Sequence, residues 1–184
     1  MAYRNGTYVA FHANGTNYPI DSDIKYYNLL KAWSARENDC FTMNNSHDKT
    51  SAVRDSSSKE TLKRSLRERL CNSKHMVLII GETTKHDDDW IPFEIEYAVD
   101  VCKLPIIIAY LDYNYILAPS ELSYKWPPAL KKRIENNSVS AIHIPFKKAL
   151  IHDAIKQFSH NYLPKGGSLG VYSKQAYLNW GIFI

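Results

Sequence analysis

HMVLIIGETTKHDDDWIPFEIEYAVDVCKLPIIIAYL, residues 75–111, decides the fold. Its first six residues are an unbroken apolar run. A strand buried on both faces reads this way, and such strands belong to parallel sheets. The last seven residues, 105–111 (PIIIAYL), form a second run of the same kind. Between them lie a polar loop, 81–89, and a segment with helical spacing from Trp90 to about Cys102. Two buried strands joined by a crossover helix form a β-α-β unit.

The same alternation extends outward in both directions. Residues 7–12 (TYVAFH) are a short β-type run that stops at the turn signal Asn14-Gly15. Ile24, Tyr27, Leu30 and Trp33 set a helical stripe over 21–36. Residues 40–43 (CFTM) offer a second strand, and the polar stretch 44–58 reads as a long loop. Ser57 and Glu60 fit a capping box, and Leu62, Leu66 and Leu70 carry a helix over 58–71. Downstream, 112–128 is a connection bearing tyrosines and prolines. Residues 138–144 make a final strand, and 147–162 a final helix.

Five strands alternating with helices predict a three-layer α/β fold with a mainly parallel five-stranded central sheet. In such sheets ligands bind beyond the carboxyl ends of the strands. The loops at those ends are 12–19, 44–58, 81–89 and 112–128. After Pro164 a Gly166-Gly167 hinge leads into Tyr172, Tyr177, Trp180 and Phe183. The expected organisation is a domain over 1–164 and an aromatic tail over 165–184 that packs on the domain or on a partner.

Composition narrows the class. The net charge of +4 is mild, and its basic clusters, 59–69 and 131–133, read as solvated helix faces. A nucleic-acid footprint would be a denser stripe, so no nucleic-acid partner is expected. Cys40, Cys71 and Cys102 are widely spaced and odd in number, which reads as buried thiols in a reducing cytoplasm. The longest apolar run, 104–111, is too short to span a bilayer. No signal-peptide core opens the chain. A soluble cytoplasmic protein without membrane contact follows as the expectation.

Nucleotide loops of the P-loop or GxGxxG type are absent. His75, His143 and His152 have no ligand spacing, and His86 beside Asp87–Asp89 reads as part of a solvated helix cap, so no metal site is expected. His12, at a strand end, is a candidate base or a hydrogen-bonded structural group.

The helix opening at Trp90 holds the best chemistry. Asp89 is the expected N-cap, and Pro92 is tolerated in a first turn. At 100° per residue, Ile91, Ile95, Ala98 and Cys102 form the core stripe. Trp90, Glu94, Tyr97 and Val101 form a second stripe beside it, while Glu96 and Asp100 fall on the outer face. Glu94 is therefore partly desolvated, which disfavours its charge, yet it lies near the positive end of the helix dipole. Such a carboxylate suits an oxocarbenium-like centre or a ribose hydroxyl. On these residues alone, a glutamate that merely complements the dipole is the commoner case.

Taken together, these residues resemble a TIR-type domain, specifically the bacterial TIR-like proteins of the Thoeris antiphage system (the ThsB subunit). The resemblance rests on the opening strand ending in Phe11-His12, the capped basic helix with its leucines, VLIIGETT at 77–84, and Trp90-Ile-Pro-Phe-Glu94-Ile95. It covers roughly residues 7–160. Trp-x-x-x-Glu after the third strand is a signature of TIR enzymes that cleave NAD. The loop departs from many TIR domains in having threonines instead of serines, and Asp87-Asp88-Asp89 is unusually acidic beside a diphosphate ligand.

The resemblance implies a flavodoxin-like TIR fold and an NAD glycohydrolase or ADP-ribosyl cyclase activity. NAD is the substrate, and no cofactor or metal is needed. Glu94 looks like the catalytic glutamate. Phe11, His12 and Ala13 look like the wall of the nicotinamide pocket. Asn44, Asn45 and Ser46 would begin the loop over ribose and base, and Trp90 would pack beside the glutamate. The implied role is a signal-producing sensor: an ADP-ribose-derived, cyclic signal reaches a separate effector, after a phage-derived trigger and self-association. Two other readings stay open: a non-catalytic TIR interaction module, and a nucleoside deoxyribosyltransferase-like enzyme.

Overall fold

The computed structural model describes residues 4–13, 23–36, 42–44 and 56–184. Strands β1 (Thr7–Ala10), β2 (Met43–Asn44), β3 (His75–Ile80), β4 (Ile106–Tyr110) and β5 (Ala141–Pro145) are the five expected. They lie in the order β2-β1-β3-β4-β5, every pair parallel. Helices α1 (Ile24–Arg36), α2 (Ser56–Cys71), α3 (Trp90–Glu96), α4 (Pro128–Glu135) and α5 (Lys148–Gln157) cover the two faces. This is the flavodoxin-like order, and its direction of winding reverses between β1 and β3.

Strand alternation explains why the apolar runs are unbroken. Tyr8 and Ala10, Met76, Leu78 and Ile80, and Ile106 and Ile108 point into one layer, against α2, α3 and α4. Val9 and Phe11, Val77 and Ile79, and Ile107 and Ala109 point into the other, against α1 and α5. Successive side chains leave opposite faces, so a strand covered on both faces must be apolar at every position.

The tail joins this frame. Gly170–Val171 (β6) pairs parallel with β5 and extends the five-stranded sheet by one short strand. A Cβ on Gly170 would stand 2.6 Å from the Ala141 carbonyl oxygen, so this approach requires glycine. Helix α6 (Lys174–Asn179) follows. Tyr177 is fully buried there, and its hydroxyl accepts from the Ile116 amide and donates to the Ile116 carbonyl, both at 3.2 Å.

Several local expectations change. The helix from Trp90 is α-helical only to Glu96 and continues as a π-helical turn over Tyr97–Val101. The final helix ends at Gln157, where Phe158 adopts extended backbone, well before residue 162. Helix α4 was not foreseen. Its buried side is Ala129, Leu130, Arg133 and Ile134. Arg133 interrupts the apolar pattern and is itself buried, so 131–133 is not a wholly solvated face. Its guanidinium binds Asp100 through Nε and Nη2 and reaches the Ala129 carbonyl at 2.9 Å.

The cysteines also differ from expectation. Cys71, at the end of α2, and Cys102, just past the π-helical turn, are joined by a disulfide with Cα atoms 5.2 Å apart. They are 31 positions apart with no motif, so only the packing of the two helix ends brings the sulfurs together. The bond removes the cysteines as a pointer to a reducing compartment. No helix among the described residues is long and apolar enough to cross a membrane.

Candidate functional site

Strand β1 places two groups by alternation. Tyr8 points toward α3, whereas His12 follows the strand's carboxyl end. Glu94, two residues before the end of α3, is 0% exposed. Its Oε1 accepts a very short hydrogen bond from the Tyr8 hydroxyl. Burial first, and then the negative charge of Glu94, push the Tyr8 phenol well above its ordinary value. Tyr8 therefore keeps its proton and acts as a donor. A buried carboxylate is tolerated when a buried donor meets it.

Asp87 sets where α3 begins. Its Oδ1 accepts from the backbone amides of Asp89, Trp90 and Ile91, at 3.1, 2.9 and 3.1 Å. Asp89 holds the N-cap position, as expected, but its carboxylate pairs with Lys59 at 2.7 Å and leaves the side-chain capping to Asp87. Three consecutive aspartates are equivalent as cap residues; the path of the loop selects among them. Asp87 also faces His12, whose Nε2 lies 3.9 Å from Asp87 Oδ2. The other ring nitrogen of His12 is 3.0 Å from Thr83 Oγ1. His12 and the start of α3 thus belong to one polar unit.

A second knot ties the loop after β3 to the start of α1. Gly81 N donates to Thr84 Oγ1 at 2.8 Å, and Thr84 donates to Asp23 Oδ2 at 3.2 Å. The Asp23 amide donates to the His12 carbonyl at 3.1 Å. Burial raises the Asp23 carboxyl above the ordinary range, opposed by the Thr84 bond. A Cβ on Gly81 would meet Asp23 Oδ1 at 2.7 Å, so the close approach needs glycine.

Packing on α2 orients the helix from outside. Lys59 lies 5.7 Å from the centre of the Trp90 ring, Lys63 5.2 Å from that of Phe93, and Arg67 5.5 Å from that of Phe93. The basic helix that read as a solvated face is a ladder of cations over aromatic rings.

The sequence-predicted residues fall in three groups. His12 and Ala13 follow the carboxyl end of β1 and Trp90 opens α3 after the loop from β3, while Glu94 lies one turn further along α3, against Tyr8 of β1. Phe11 is buried in the opposite layer, stacked on Tyr27 with ring centres 4.9 Å apart, and so its ring is held apart from Glu94 by the sheet. Asn44 ends β2 and pairs in register with Tyr8; Asn45 and Ser46 lie outside the described residues. Sequence reading missed Tyr8, Asp23, Thr84 and Asp87. Alternation within TYVAFH already put Tyr8 on one face, but its partner is 86 positions away.

Three other buried polar assemblies serve the frame. His75 bridges Thr7 and the Phe158 carbonyl, and His143 bridges Tyr110 and the Ser168 carbonyl. Arg133 joins α4 to the π-helical turn. Among the described residues, no group of three His, Cys, Asp or Glu is placed to hold a metal ion.

Comparison with protein families matches this chain to a known family. The model described as Thoeris protein ThsB, TIR-like domain, covers residues 8–115. That span opens at Tyr8 and holds the end of β1, the loop after β3 and Glu94.

Proposed function

Because the chain belongs to the TIR-like domain family of the Thoeris protein ThsB, and so to a defence system of TIR type, we propose that it breaks the nicotinamide–ribose bond of NAD and releases an ADP-ribose-derived signal. The observation that carries this reading is the Tyr8–Glu94 pair at the winding reversal of a parallel sheet, the place where such folds bind ligands.

Glu94 supplies negative charge to the anomeric carbon as the C–N bond breaks. Both electrons of that bond leave with nicotinamide, whose pyridinium becomes neutral, so no acid catalyst is needed. Water captures the cation with loss of a proton to give ADP-ribose, or a nucleophile of the same molecule closes a ring. Charge placed ahead of the transition state acts most strongly in a dry site. The helix N-terminus capped by Asp87 and the His12–Thr83 pair border the ribose and base. NAD is substrate, and no metal or cofactor takes part.

Glu94 has no solvent exposure, so substrate reaches it only when its surroundings move. That supports a resting state which opens on a phage-derived trigger or on self-association. Purified protein alone is then expected to turn NAD over slowly. A separate effector, reached by the signal, completes the response.

Mass spectrometry of small molecules from phage-infected cells tests the reading. Wild-type protein should deplete NAD and accumulate a new ADP-ribose derivative, and folded Glu94→Gln should do neither. Protection that persists with Glu94→Gln would leave the interaction-module reading in its place.

A further inference from the structure

A pocket lies at the amino ends of the strands, at the opposite end of the sheet from His12 and the loop after β3. It is a cavity of about 1100 Å³. Arg4 stands before β1, Lys74 before β3, Lys103 before β4 and Lys156 in the last turn of α5, and all four line it. No carboxylate lines it, and none of the four is in a salt bridge among the described residues. Arg4 donates to the Cys102 carbonyl at 2.7 Å, which fixes its guanidinium at the pocket wall.

Helix α2, the π-helical turn after α3 and helix α5 end at this pocket, and their carbonyl dipoles favour cations. That explains why lysines are tolerated there. It does not explain four cations around one cavity that no carboxylate lines. His160, also in the lining, is pushed below its ordinary value by burial and then by the positive charge of Arg4. Lys103 adds a stronger sign. Its φ is 56°, the left-handed position that usually closes a helix with glycine. A lysine there is costlier than glycine in backbone terms, yet it brings a cation to the pocket.

Beside this basic pocket lies an apolar groove of about 520 Å³, walled by Leu163, Pro164 and Tyr172. Phe158 and Tyr162 line both spaces, and Tyr162 is 73% exposed. A cation cluster next to an open aromatic surface matches a ligand with a charged end and a flat end.

We propose that this pocket binds a polyphosphorylated nucleotide, with phosphates among Arg4, Lys74, Lys103 and Lys156 and the base against Tyr162. The site is separate from the Glu94 site and does not rest on NAD cleavage. Arg4, Lys74 and Lys103 sit one to three residues before their strands and Lys156 near the end of α5, positions that no functional motif marks.

Calorimetric titration of the full-length protein with ATP, inorganic triphosphate and adenosine tests it. ATP should bind, and more weakly as salt rises. Adenosine should bind at least about tenfold more weakly than ATP for want of charge, and triphosphate more weakly for want of the base. The double variant Lys74→Gln/Lys103→Gly should lose about tenfold in ATP affinity. Lys103→Gly suits its backbone and should melt no lower than wild type, so it reads the charge effect if Lys74→Gln fails to fold. Unchanged ATP affinity in the folded variants overturns the proposal. So does no ATP binding by wild type, adenosine binding as tightly as ATP, or triphosphate binding as tightly as ATP.

Discussion

Tyr8 and Glu94 meet across 86 positions of chain, and the phenol of one donates to the carboxylate of the other in a fully buried site. The pair ties β1 to helix α3. Tyr8 is a positioning residue: it holds Glu94 and keeps its own proton.

Tyr8→Phe keeps the ring and removes the donor. A hydrogen bond to a charged group is worth about 1.5–3 kcal/mol. NAD depletion in infected cells should therefore fall roughly 10–100-fold at equal protein level. The apparent KM for NAD should move little, because the bond acts on Glu94. A kcat equal to wild type would end the positioning role.

Gly81→Ala should destabilise by about 1–3 kcal/mol, because the added methyl presses on Asp23 and Leu111. Asp23 cannot simply withdraw while Thr84 holds it. Urea unfolding reads the loss. An unshifted midpoint would show that the knot between Gly81, Thr84 and Asp23 yields freely.

The Cys71–Cys102 bond closes a segment of 31 positions. Constraint of the unfolded chain on that scale contributes about 3–4 kcal/mol. Reductant should lower the thermal midpoint of wild type, and Cys71→Ser should reproduce that lower midpoint and ignore reductant. Equal midpoints with and without reductant would contradict the link.

Acid should unfold the protein through two histidines. Burial lowers both His75 and His143 from 6.5 to about 4. The Phe158 carbonyl can only accept, so His75 Nδ1 donates to it and Nε2 accepts from Thr7. The Ser168 carbonyl likewise makes His143 Nε2 a donor, and Nδ1 accepts from Tyr110. Protonation breaks each acceptance. The unfolded chain binds protons first, so stability is complete above pH 6.5 and falls as pH drops toward 4. Each ring contributes about 3 kcal/mol to that loss. His143→Gln should flatten the decline of the unfolding free energy across this window; an unchanged slope would remove His143 from the account.

The sequence alone determined the frame. Six-residue apolar runs separated by capped amphipathic segments leave no face of a strand polar, and a sheet covered on both sides is the packing that satisfies them. Periodicity also separated Glu94 from Glu96, since 3.6 residues per turn is a local rule. Local rules stopped where partners are distant or locally equivalent. Any of three aspartates could cap α3, and the loop path chose Asp87. Cys71 and Cys102 looked like free thiols until two helix ends met. Phe11 ended a promising strand, yet alternation turned its ring into the layer opposite Glu94. Arg133 looked solvated, but Asp100 lies across from it. Tyr8 became the partner of Glu94 only through tertiary packing, because a hydrogen bond depends on distance in space, and the chain sets that distance only once it has folded.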